Sequence, residues 1–107
     1  MEQFEQSPAD AGVYRILNLK SGKFLLGSST NLAGLRNRFE FAQSNDSAGA
    51  LDAKLREDIA RYGFDAFCFE ILDTLEVKSD MKLEQIAADA VALAALWRES
   101  FDSALLY

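Results

Sequence analysis

Any chemistry in this chain has to be done without histidine, because none occurs among its 107 residues. That removes the Ser-His-Asp triad, the Cys-His pair and every His-ligated metal site. Acid–base work is left to Tyr, Lys, Asp and Glu. The single cysteine, Cys68, lies in the apolar run Ala66-Phe67-Cys68-Phe69. It can form no disulfide within the chain and no cysteine-based zinc site. With no imidazole to activate it, it is expected to be a buried structural thiol.

The second chemical feature is charge polarity. From Gly12 to Arg38 there is no Asp or Glu, but there are Arg15, Lys20, Lys23, Arg36 and Arg38. This segment carries +5, leaving −11 for the rest of a chain whose formal net charge is −6. An overall acidic protein gains nothing from non-specific attraction to nucleic acid. A basic segment of this kind can still meet a phosphate backbone if it forms one face.

The elements that must position these groups follow from periodicity. Gly12 to Leu17 alternates as a strand. Asn18-Leu19-Lys20-Ser21-Gly22 is turn-forming, and Lys23 to Ser28 is a second strand, so the pair is expected as a β-hairpin. Ser28-Ser29-Thr30-Asn31 offers N-caps for a helix over about Leu32 to Gln43, with Gly34 weakening its first turn. Ser44 to Ser47 is a loop. Leu51, Leu55, Ile59 and Tyr62 mark a second helix that Gly63 ends. Phe64 to Leu72 reads as a third strand, with Phe67, Phe69 and Ile71 on one face. The last helix has an apolar stripe of Leu83, Ile86, Ala90, Leu93 and Trp97, extended by Phe101.

The order is β-β-α-α-β-α. The fold class expected is α+β: a small, mainly antiparallel three-stranded sheet flanked by helices. Half the residues are hydrophobic, enough for one core, and the length fits one domain. Residues 12–107 are assigned to it and 1–11 to a polar N-terminal segment. No apolar stretch is long enough to span a membrane, and the acidic start is unlike a signal peptide, so a cytoplasmic protein is expected.

Several strings in this order resemble the GIY-YIG nuclease superfamily. Gly12-Val13-Tyr14 is similar to its first motif and Leu25-Leu26-Gly27 stands in the place of its second. Gly27-Ser28-Ser29-Thr30-Asn31-Leu32 resembles the usual continuation, Tyr62-Gly63-Phe64-Asp65-Ala66-Phe67 the third-strand region, and Leu96-Trp97-Arg98-Glu99 the closing helix. The stretch from Asn31 to Phe39 looks like a divergent bacterial branch. The resemblance implies a metal-dependent endonuclease fold. It implies a catalytic tyrosine, a second tyrosine, a helix arginine, a histidine and a metal-binding glutamate.

Carried over residue by residue, the tyrosine of the first motif is Tyr14. The second tyrosine falls on Leu25, the arginine on Leu35, the histidine on Phe39 and the glutamate on Ala94. Arg36 and Arg38 stand one and three positions from the arginine site, and Arg38 is the nearer in helical phase. Tyr14 and Arg38 are thus the catalytic candidates. Arg15, Lys20, Lys23, Arg36 and Arg38 are the candidates for nucleic-acid contact. No metal ligand is identified, and no cofactor is expected unless residual cleavage uses Mg²⁺ or Mn²⁺.

Three functions stay open. One is a catalytically impaired nuclease-like domain that binds DNA through its 12–38 face. Another is an active metal-dependent endonuclease using Tyr14 and Arg38. The third is a scaffold for a protein or small-molecule partner, its cleft made apolar by Leu25, Leu35, Phe39 and Ala94.

Overall fold

The computed structural model describes residues 10–46 and 53–107. The expected loop residue Ser47 and the helix residue Leu51 lie outside them, as does most of the N-terminal segment. The elements are β1 (Gly12–Asn18), β2 (Phe24–Ser29), α1 (Leu32–Ser44), α2 (Ala53–Tyr62), β3 (Phe67–Thr74) and α3 (Leu83–Glu99). Short 3₁₀ turns cover Phe64–Ala66 and Ser103–Leu105. The three strands form an antiparallel sheet in the order β2-β1-β3, with β1 in the middle. This is the α+β class and the element order read from the sequence.

Because β1 is central, its alternating side chains enter two different cores. Tyr14 and Ile16 pack with α1 and α2, in a cluster with Phe39, Ala42, Leu55, Ile59, Phe64 and Phe69. Val13 and Leu17 face the other way and pack with Phe24, Leu26, Ala94 and Trp97 under α3. The period of two in a strand separates these sets, as it must wherever both faces are covered.

Between Val13 and Tyr14 the β1–β3 register shifts: Tyr14 pairs with Ile71, but Val13 pairs with Asp73. The extra residue, Leu72, makes a β-bulge. Leu72 packs in the α3 cluster, and Asp73 accepts a hydrogen bond from Trp97 Nε1 at 3.0 Å. Gly12 sits where β3 passes closest. A β-carbon there would collide with the Asp73 carbonyl oxygen.

Two expectations are corrected. The third strand starts at Phe67, not Phe64, because Gly63 at φ +89° breaks the chain direction and Phe64–Ala66 turns beneath α1. Gln43 holds that turn by donating from Nε2 to the carbonyls of Phe64 (2.8 Å) and Phe67 (2.9 Å). The stripe of α3 is shorter than read. Leu83 is 68% exposed. Phe101 lies past the helix end, edge-on to Phe24 and stacked with Trp97.

The C-terminal residues close the sheet edge. Leu106 bridges in parallel to Phe24 of β2, and the Tyr107 N–H donates to the Phe24 carbonyl at 3.0 Å. Asn18 is the one fully buried polar side chain in the described core. Its Oδ1 accepts from the Lys20 and Ser21 N–H groups, and its Nδ2 donates to the Tyr107 hydroxyl. That hydroxyl donates to Asp58 Oδ2 at 2.7 Å. Hairpin, C-terminus and α2 are thereby joined by one chain of satisfied bonds, the condition under which buried polar groups do not destabilise.

Phe39 is 2% exposed at the centre of the first core. Phe39→Ala is expected to lower unfolding free energy by about 3–5 kcal/mol, read as a lower urea midpoint. Burial first, then the bond to Asp58, pushes the Tyr107 hydroxyl above its ordinary value, while Asn18 and Ser21 pull the other way. A folded-state value raised in this way gives stability that is complete below the unfolded value of about 10. It is lost as pH rises through the folded value. Above about pH 10 the urea midpoint of the native chain should therefore fall more steeply than that of Tyr107→Phe.

Candidate phosphate-binding face

The face of the sheet under α1 holds the chemistry-bearing groups. Tyr14 pairs across β1–β2 with Gly27. A β-carbon on Gly27 would come within 2.5 Å of the Tyr14 hydroxyl oxygen and 2.7 Å of Cζ. The Tyr14 ring therefore lies flat across the neighbouring strand, and only glycine leaves room for it. On its other side Tyr14 stacks on Phe69 of β3, with ring centroids 5.1 Å apart and planes 9° from parallel. Such aromatic pairs add about 0.5–1.5 kcal/mol beyond burial.

Helix α1 brings a cation to the same ring. Asn31 caps the helix, its Oδ1 accepting from Gly34 N–H at 2.8 Å. Gly34 must be small because the Asn31 side chain lies against it. From this start Leu32, Leu35, Phe39 and Ala42 turn inward. Arg36 and Arg38 then flank that stripe on opposite sides, about 200° apart. The half-buried Arg36 carries its guanidinium carbon 5.6 Å from the Phe69 ring centre, within cation–π range. Among the described residues it makes no ion pair. Tyr14, Phe69 and Arg36 thus form one continuous stack.

The five cations of the basic segment are distributed, not gathered on one face. Arg15 points to the α3 side, as strand alternation from Tyr14 requires. It pairs with Glu70 at 2.6 Å and lies over Phe24. Lys20 and Lys23 are exposed at the hairpin turn, and Arg38 is exposed on α1.

The altered positions do not line one cleft. Leu25, Leu35 and Phe39 pack with Tyr14 in the first cluster. Ala94 is buried in the second, with Val13, Phe24 and Leu26, across the sheet. The divalent metal that the family resemblance implies does not fit the residues present. Ala94 offers no oxygen, and among the described residues no group of three Cys, Asp or Glu converges to hold an ion.

Between the end of β2 and α3 is a hollow of about 380 Å³ lined by Ser28, Ser29, Thr30, Ala87, Ala90 and Val91. It offers hydroxyls but no titratable side chain, so it can bind through hydrogen bonds but not exchange protons near neutrality. Cys68 is half-buried. Burial and then Glu70 push its thiol up, with Arg15 acting against them. It is held as a thiol and is not an activated nucleophile.

Sequence reasoning placed Arg36 among the nucleic-acid contacts but preferred Arg38 for the catalytic role, and it missed the ion pair of Arg15 with Glu70. A wheel of α1 places Arg36 and Arg38 equally far from the buried stripe. Only the packing of Phe69 against that helix distinguishes them.

The three-stranded sheet with its flanking helices has the GIY-YIG catalytic-domain fold. The solved structures similar to it include the catalytic domain of the homing endonuclease I-TevI, with TM-score 0.53 and 20% identity over 84% of this chain and 86% of that one. They also include a glutamate-to-alanine variant of the catalytic domain of intron endonuclease I-TevI, with TM-score 0.52 and 20% identity over 85% and 82%. No protein-family model matches the chain, and no curated protein matches it. No helix among the described residues is long and apolar enough to cross a membrane.

Gly27→Ala is expected to displace the Tyr14 ring and to cost about 1–3 kcal/mol by overpacking. The near-ultraviolet circular dichroism of the stacked rings should change, while the far-ultraviolet spectrum stays the same.

Proposed function

We propose that this chain is a non-cleaving relative of the GIY-YIG nucleases that binds the phosphodiester backbone of DNA at the Tyr14–Phe69–Arg36 stack. The observation that carries this reading is the Arg36 guanidinium. It is held against an aromatic face with no carboxylate among the described residues to neutralise it. A guanidinium fixed this way keeps its planar fork of donors free for phosphate oxygens. The Tyr14 ring lies over Gly27 in the same stack. Lys20 and Lys23 at the exposed hairpin turn supply longer-range attraction.

Cleavage is not expected. The resemblance calls for a second tyrosine, an arginine, a histidine and a glutamate where this chain has Leu25, Leu35, Phe39 and Ala94. Each such contributor is worth about 10²- to 10⁴-fold in rate. Their losses do not simply multiply, but together they remove most of the groups with which the family resemblance would activate water and hold a metal on the phosphate.

The test pairs binding with cleavage. Fluorescence anisotropy with a DNA duplex should show affinity that falls steeply with salt. Arg36→Ala should weaken binding roughly fivefold or more and lower the salt slope by about one. Supercoiled plasmid should remain uncut with Mg²⁺ or Mn²⁺. Nicking that needs metal and disappears in Tyr14→Phe would instead make the chain an active nuclease. Absence of binding at low salt would remove the nucleic-acid reading altogether.

A further inference from the structure

Helix α3 is apolar on more than the side that faces the sheet. Ala90 and Ala94 are buried against β1 and β2. Yet Val91 is 60% exposed and Leu96 is 63% exposed, and Ala88, Ala92 and Ala95 are also exposed. At 100° per residue, Gln85, Ala88, Ala92, Ala95 and Glu99 form a line along the outer face, with Val91 and Leu96 on its two flanks. Their three-and-four spacing is that of a helix–helix seam. A helix apolar on both sides normally has a partner on both sides.

The charges indicate which partner. Glu84 and Arg98 stand on the Val91 flank, seven residues before and after it. Both are exposed, and neither is in an ion pair among the described residues. We infer that a second copy of this chain packs its α3 antiparallel against this face, about a two-fold axis near Val91. That operation sets Val91 against the second copy's Val91. It also sets Glu84 against the second copy's Arg98, and Arg98 against the second copy's Glu84. The surface is therefore complementary to itself in charge, as an isologous contact requires. The alanines keep the two backbones close, and the antiparallel arrangement opposes the helix dipoles favourably. This contact lies on the other side of the sheet from the Tyr14–Arg36 stack, so it leaves that stack open.

Sedimentation equilibrium of the purified protein at low salt tests the contact directly. A concentration-dependent monomer–dimer equilibrium is expected. Glu84→Arg alone and Arg98→Glu alone should each weaken it roughly tenfold, since each turns two attractions into two repulsions. The double variant carrying both changes should recover native association. Both substituted positions are exposed, so far-ultraviolet circular dichroism should be unchanged in all three variants. A chain that stays monomeric at every concentration would overturn the inference. So would a dimer indifferent to either single charge reversal, or a double variant no better than the singles.

Discussion

Strand β1 is the constraint on which the rest of the molecule depends. It is bonded on both edges and covered on both faces, so each of its side chains is committed to one of two cores. Tyr14 goes beneath α1 and Arg15 beneath α3, one residue apart and on opposite sides of the sheet. The consequence is chemical as well as structural. Arg15 is drawn to Glu70 and away from the stack that Tyr14 builds with Phe69 and Arg36. A basic segment that is continuous along the sequence is thereby divided in space. A slip of one residue in β1 would reverse both assignments, which is why the bulge at Leu72 and the close approach at Gly12 matter: they pin the register.

The element order, the hairpin, the N-cap region ending at Asn31 and the helix stop at Gly63 were legible in the sequence because they depend on local period and turn chemistry. What was not legible depends on contacts distant in sequence. The third strand could not be told from the turn before it, since Phe64 and Ala66 are as apolar as the strand and are buried as a 3₁₀ turn by Gln43. Phe101 fits a helical stripe in spacing but packs from beyond the helix end. In the candidate site, motif comparison pointed to Tyr14, while the choice between Arg36 and Arg38 rested on which flank of α1 meets Phe69. No one-dimensional pattern contains that information.

The same reasoning accounts for the separation of Ala94 from the other altered positions. Leu25, Leu35 and Phe39 share a core with Tyr14, whereas Ala94 belongs to the core under α3. One apolar cleft made from all four would require the sheet not to lie between them. They are better understood as contributions to two separate interiors.

Phe39 shows what such a contribution entails. It is almost fully buried and meets Phe64 edge-on at 5.7 Å and Phe69 at 6.1 Å. An imidazole in that position would be surrounded by rings and aliphatic groups, and desolvation would hold it neutral. It would lose the packing of a benzyl group, and its ring nitrogens would need partners that this environment does not provide. The aromatic residue instead makes the floor on which Phe69, and through it Tyr14 and Arg36, are fixed. The position to which the family resemblance assigns a histidine is, in this chain, a support for the stack. Rigid support would favour the binding proposed above, because less side-chain entropy would be lost on engaging a phosphate. It adds no proton-exchanging group, which acid–base catalysis of hydrolysis uses. The core that holds the Arg36 guanidinium against Phe69 is thus the same core that has a benzyl group where the family resemblance calls for an imidazole.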